Sequence, residues 1–193
     1  MALERWEIDS GHSGIHLSAR HMMLARVRGV FSRWSGTILA DSDDLSRTTV
    51  DVYIDASSLE TGVFDRDVHL KSADFLDVAR YPEVIFKGTG VEVLGADRAR
   101  LLGELTLHGV TRGVPLDVEF TGRTRDPWGH ERAGFRAKAS LDRRDFGLEW
   151  NQFLDAGGAL VGYEVDIEIE VEAVRQDELK DGPAVGQERT LRP

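Results

Sequence analysis

Four of the six histidines, His12, His16, His21 and His69, stand close to serines and aspartates in the first part of the chain. Imidazole can ligate a metal or move a proton near neutral pH. Zinc needs three or four ligands in a tight tetrahedral array. On an extended strand His12 and His16 share a face but lie about 13 Å apart, too far to share an ion, so no metal is expected. Ser13 and Ser18 invite a hydrolase reading, but there is no Gly-x-Ser-x-Gly elbow, and no glycine-rich phosphate loop opens a helix. The groups left are suited to holding a ligand by hydrogen bonds or charge: His21, Arg66, His69 and Arg144. Each has a structural alternative. His21 could be a buried histidine bonded to a carbonyl or carboxylate. Arg66 could pair with Asp67 and pin a local insertion, and Arg144 could do the same with Asp145. Phe146 and Trp150 could close an opening or simply pack.

The elements that position these residues are strands. From Val161 to Ala173, Val161, Tyr163, Val165, Ile167, Ile169, Val171 and Ala173 share one parity, and Glu164, Asp166, Glu168, Glu170 and Glu172 share the other. Side chains alternate faces along a strand, so one face is apolar and the other acidic and wet, as in an antiparallel sheet. The same alternation appears at Ile15–His21, Val27–Phe31, Ile38–Ala40, Val50–Ala56, Val84–Val93, Leu101–Leu107, Val114–Phe120 and Ala133–Leu141. Asp9-Ser10-Gly11 interrupts the first strand, and Ser35-Gly36 marks the expected kink in the second. Turns are expected at Asp41–Asp44, Gly95–Asp97, Gly109–Gly113 and Asp126–Gly129. Between Thr61 and Pro82 period two is lost. There Asp65 is expected to cap a short helix and Ser72 a second one.

About eight antiparallel strands joined by short turns suggest an up-and-down barrel, with a sandwich around a closed core as the alternative. The inward rows carry Ala19, Gly29, Ala40, Ala56, Gly103, Ala133, Ala137 and Ala139. Small inward residues leave volume unfilled, and an empty apolar cavity costs stability. A binding tunnel is the expectation. The formal charge of −10 argues against broad contact with nucleic acid or anionic membrane surface. The hydrophobic fraction of 41% supplies a core. With no cysteine, disulfides and thiolate metal sites are excluded. No apolar run approaches the roughly 20 residues of a membrane span, so no stable membrane insertion is expected. No signal peptide is visible at the N-terminus, so the chain reads as cytoplasmic. Residues 1–174 read as one barrel, and 175–193 as a polar, flexible tail.

Several motifs resemble the YceI-like family. They are Asp9-Ser-Gly-His12-Ser13 with Arg20-His21 and Val27–Phe31; Arg66–Leu70 followed by Ser72, Asp74-Phe75 and Tyr81-Pro82; Gly103–Thr111; and Arg144–Leu148. The resemblance runs in order from about residue 5 to 174. It implies an all-β, lipocalin-like barrel of eight extended antiparallel strands, with the helical insertion between the third and fourth. It implies a tunnel for a long-chain lipid, such as a polyisoprenoid, polyprenyl phosphate, quinone or fatty amide, and no cofactor. It implies non-enzymatic binding, transport or storage, often as a homodimer, and many relatives are periplasmic. On this reading Ile15, Leu17, Ala19, Val27, Phe31, Phe75, Phe86, Leu105, Phe120, Phe135, Phe146, Val161, Tyr163 and Val165 line the tunnel. His21, Arg66, His69 and Arg144 are candidates for the head group. Two alternatives stay open: an enzyme or accessory factor of isoprenoid or quinone metabolism using the same pocket, and a filled structural or partner-binding barrel.

Overall fold

In a computed structural model of the chain, residues 3–155 and 157–176 are described. The alternating segments form one antiparallel sheet: β1 (Leu3–Ile8), β2 (Gly14–His21), β3 (Ala25–Phe31), β4 (Trp34–Asp41), β5 (Thr49–Asp55), β6 (Leu59–Glu60), β7 (Glu83–Val93), β8 (Arg98–Leu107), β9 (Val110–Gly113), β10 (Leu116–Arg125), β11 (Glu131–Asp142) and β12 (Val161–Gln176). The order around the sheet is β1-β4-β5-β7-β8-β10-β11-β12-β2-β3-β6, with β9 on β8, and β1 returns to pair with β12. That last pairing, Trp6 opposite Arg175 and Ile8 opposite Ala173, closes a barrel. β1 and β2 follow one another along β12, and β4 pairs with β1 and β3 with β2. Likewise β6 continues β5, and β9 with β10 runs along β8. Joined in this way the segments make eight strands, and closure removes the exposed edges that an open sheet would carry.

Three local expectations are corrected. The break in the second strand falls at Ser32-Arg33, and Gly36 lies inside β4. A Cβ at Gly36 would sit 2.7 Å from Ile8 Cδ1, so its glycine serves close packing rather than a kink. Residues 110–113 are strand β9, and the turn is only His108-Gly109, both at positive φ. The insertion holds one helix, α1 (Phe64–Lys71). Its N-cap is Val63, with no side-chain cap, and Ser72 ends it by donating from Oγ to the His69 carbonyl at 2.7 Å. Asp65 and Asp67 in its first turn and His69 and Lys71 in its last suit the helix dipole. Arg175 and Gln176 belong to β12; the rest of the expected tail lies outside the described residues.

The inward rows form two buried clusters. The larger includes Ile15, Ile54, Leu59, Val84, Phe86, Leu101, Leu105, Phe146 and Leu148, and the smaller is Trp6, Ala133 and Ala173. The inward glycines do not leave space. A Cβ at Gly103 would lie 2.4 Å from Phe86 Cζ and 2.8 Å from the Lys87 carbonyl, and one at Gly29 would lie 3.1 Å from Leu59 Cδ1. Ala56, Ala133 and Ala137 are also buried under neighbours. The expectation that every small inward residue marks free volume is therefore wrong at these positions: larger side chains on adjacent strands occupy it.

Candidate functional site: the barrel interior and its two ends

The ladder fixes which side chains face inward together. Ala19 lies opposite Val165 and Val27, Leu17 opposite Ile167, and Leu141, Ala139, Ala137 and Phe135 of β11 continue the inner face of β12. In a filled barrel these positions would be fully covered. Ala19, Val27, Val165 and Ile167 are only half-buried, and neither cluster includes them. Phe120, opposite Phe135 with ring centroids 5.5 Å apart, is 40% exposed although it is on the inward row of a closed sheet. The uncovered inner positions therefore lie on β2, β3 and β12, with Phe120 on β10, while Phe86 and Leu105 on the far wall are buried.

Two polar assemblies bracket this interior. At one end, Glu4, Arg123, Glu131 and Arg175 continue the inward rows of β1, β10, β11 and β12. Arg123 bonds Glu131 at 2.5 Å and Glu4 at 3.4 Å, and Arg175 bonds Glu131 at 2.9 Å and Glu4 at 3.2 Å. The Arg123 guanidinium stacks on the buried Trp6 ring at 4.8 Å. Beside this, Arg132 grips Asp126 at 2.9 Å, Asp9 at 3.1 Å and Glu172. Hydrogen bonds from Arg123 and then Arg175 hold the Glu131 carboxyl at about 2. Burial pushes Asp126 up, but bonds from Arg132 and from the His130 and Trp128 amides outweigh it and leave it at about 2. Both titrate lower folded than unfolded, where carboxyls sit near 4. Their stabilisation is thus complete above about pH 5 and is lost as pH falls from about 4 towards 2. Thermal melts across that window are expected to show a falling midpoint, and Glu131→Gln to flatten the fall. An identical acid profile in the variant would refute the assignment.

At the other end stands Arg143, 4% exposed. It donates to the carbonyls of Leu148 (2.5 Å), Gly162 (3.0 Å) and Val161 (3.4 Å), and its guanidinium lies over Phe75 at 5.6 Å and Tyr163 at 4.8 Å. Burial pushes its pKa down from the usual arginine value. Arg144 covers Tyr163 at 4.2 Å and makes a fork to Asp142, which draws that carboxyl down. Asn151 bonds both backbone groups of Val161, at 2.7 Å and 3.1 Å. His69 Nε2 donates to the Asp74 carboxylate (2.8 Å), and the ring packs edge-on against Phe75 and Trp150.

The structure thus gathers part of the expected site and scatters the rest. Ile15, Phe86, Leu105 and Phe146 belong to the buried core, with Leu17 and Phe31 packed on it. Phe75 is buried below α1. Val161 lies opposite His21 across a register shift in β12, and Tyr163, inside that shift, meets arginines. Arg66 does not pair with Asp67. Its Nε and Nη2 donate to Thr61 Oγ1 (2.7 Å) and the Thr61 carbonyl (2.9 Å), and Asp67 accepts from the Thr61 amide (2.9 Å), so both pin α1 to the chain leaving β6. His21, half-buried, ends the inward row of β2. Arg143 carried no signal in the sequence, since Asp-Arg-Arg-Asp after a strand reads as solvated surface.

A lateral cleft of about 400 Å³ opens where the first two strands are interrupted, lined by Ser10, His12, Ser13, His16, Phe31 and Trp34 among others. Near it, Asp9, His12 and Glu172 bring ligand atoms within 4.8 Å of one another. Arg132 already neutralises Asp9 and Glu172, and His12 Nδ1 bonds Asp9 at 2.9 Å. A cation there would compete with a guanidinium.

The profile of the YceI-like domain matches residues 6–173. The chain belongs to the YceI-like family. Among YceI-like relatives, UPF0312 proteins of Pseudomonas putida and Vibrio cholerae are 36% identical over 168 residues and 34% identical over 170. These alignments cover 87% of this chain and 84% of the Pseudomonas protein, and 88% and 86% for the Vibrio protein. Among solved structures, Burkholderia cenocepacia BcnA superposes with a TM-score of 0.75 at 19% identity, covering 86% of this chain and 98% of that one. The Campylobacter jejuni YceI protein gives 0.68 at 26% identity, covering 82% and 90%. A polyisoprenoid-binding domain from Saccharophagus degradans gives 0.62 at 14% identity, covering 89% and 98%. These structures share the barrel. Among the described residues no helix is long and apolar enough to cross a membrane.

Proposed function

We propose that the protein is a non-enzymatic carrier or store for a long-chain isoprenoid or similar amphipathic lipid. One observation carries the reading: Ala19, Val27, Val165, Ile167 and Phe120 form an apolar inner surface that the protein's own side chains leave half-covered. Covering it with a lipid chain stabilises the complex by roughly 25 cal/mol per Å² of apolar area. The barrel then replaces membrane or micelle as the solvent for that chain. The Saccharophagus degradans domain that shares this barrel is a polyisoprenoid-binding domain, which agrees with this choice of cargo.

Polar groups that could meet a head group cluster at the Arg143 end. His21 ends an inward row there, and Arg144 is exposed beside Asp142. His69 is engaged by Asp74, and Arg66 has its Nε and Nη2 on Thr61, so these two act mainly in holding α1. Two measurements test the reading: mass spectrometry of the organic extract of protein purified without added lipid, and melting with prenyl lipids added. Stoichiometric lipid and a raised midpoint are expected. Protein that contains no lipid and ignores added prenyl chains would end the proposal.

A further inference from the structure

The hairpin joining β2 to β3 turns on Met22 and Met23, both in the left-handed region with φ of 51° and 58°. The Leu24 amide closes it onto the His21 carbonyl at 3.0 Å. Three residues, Met22–Leu24, separate the paired His21 and Ala25; the two central turn positions at positive φ favour Asn and Gly, and methionine there costs conformational energy. Leu24 follows, 85% exposed. The Met22 amide bonds the Leu160 carbonyl at 2.8 Å, which ties the tip to the small loop whose Phe153 is 75% exposed. At the same barrel end α1 presents Phe64, 80% exposed, and Val68. Three separate protrusions therefore expose large apolar side chains around one end. Burial would stabilise them, and water does not.

Charge selects the occupant. The chain carries −10 overall, yet Ser10 to Ala40 contains no aspartate or glutamate and includes Arg20, Arg26, Arg28 and Arg33. Arg20 and Arg26 are direct cross-strand partners immediately behind the tip, with Arg28 one step further, all exposed. Like charges placed opposite one another destabilise a hairpin. Asp166, across the ladder, pairs with Arg26. An apolar tip backed by arginines matches a phospholipid surface, where side chains enter the acyl boundary and guanidiniums meet phosphates. Scattered protrusions also suit a fluid bilayer better than a protein, which must offer a matching hole for each.

We infer that this end of the barrel docks on phospholipid bilayers, with Met22, Met23 and Leu24 inserting and Arg20 and Arg28 contacting phosphates. It rests on the carrier reading only for its purpose, which is to bring the barrel to the phase that holds its cargo. The test is flotation of the full chain with phosphatidylcholine vesicles containing phosphatidylglycerol and no prenyl lipid. Wild-type protein is expected to float, less so at high salt. Met22→Asn/Met23→Gly/Leu24→Ser, which supplies the favoured turn and should melt no lower, is expected to lose binding at least about tenfold. Arg20→Gln/Arg28→Gln should lose the salt dependence. The inference is overturned if wild type stays unbound, if the tip variant floats equally, or if the tip instead drives self-association by size exclusion. Lipid retention by the tip variant, measured separately, reports on the carrier reading alone.

Discussion

Ala19→Phe is expected to abolish lipid retention and leave folding nearly untouched. Ala19 faces inward between Val165 and Val27, and all three are half-buried outside the packed clusters. A phenyl ring there would occupy the volume assigned to the lipid chain. In a packed interior such an insertion costs about 1–3 kcal/mol; in a hollow one it buries apolar surface and costs little. Ala137→Phe is the control, because Ala137 is buried within the main cluster. The expected pattern is a midpoint close to wild type for Ala19→Phe, a clear drop for Ala137→Phe, and loss of co-purified lipid in the former by at least about tenfold, taking the lost burial at about 25 cal/mol per Å². Equal destabilisation by both would mean that the interior is solid.

Arg143→Ala is expected to be the most destabilising single change at the α1 end, by about 3 kcal/mol, because buried carbonyls lose their donors. Arg143 bonds three carbonyls from two segments and supports the rings of Phe75 and Tyr163. Arg143→Lys should recover only part, since an ammonium lacks the planar fork that reaches several carbonyls at once. Denaturant titration reads both effects. Arg144→Ala, exposed, forked to its near neighbour Asp142 and resting on the Tyr163 ring, should cost far less. A mild Arg143→Ala would show that the loop from Arg143 to Leu160 is held by something else.

The barrel was legible where alternation is strict. β5, β11 and β12 each repeat apolar and polar residues with period two, and their neighbours in the ladder follow from that. Positions governed by contacts distant in sequence were not. The sequence pointed to Ser35-Gly36 as the kink because glycine often marks one, whereas Gly36 is small to admit Ile8 from β1. Ser72 looks like a helix start, yet its hydroxyl closes the helix before it. Residues 109–113 look like turn because glycines bracket them, yet 110–113 continue a ladder with β8. For the site, the inner face of β12 could be read from parity alone. The uneven filling could not, because it depends on Phe86 reaching over Gly103 and Leu59 over Gly29. The four-residue ion network was also hidden. Glu4, Arg123, Glu131 and Arg175 converge only once β1 meets β12 in register.

The closing pair joins the first strand to the last, with β12 accepting β11 on one side and both β1 and β2 on the other. Until β12 leaves the ribosome, β11 on one flank and β1 and β2 on the other each lack the partner on their β12 side. β12 must be made before any closed cylinder can exist, and the cost of that long-range joining is met in a single step that waits for it. During this interval the nascent protein is a curled sheet with two sticky margins, and chaperones or neighbouring chains compete with its own terminal strand for them.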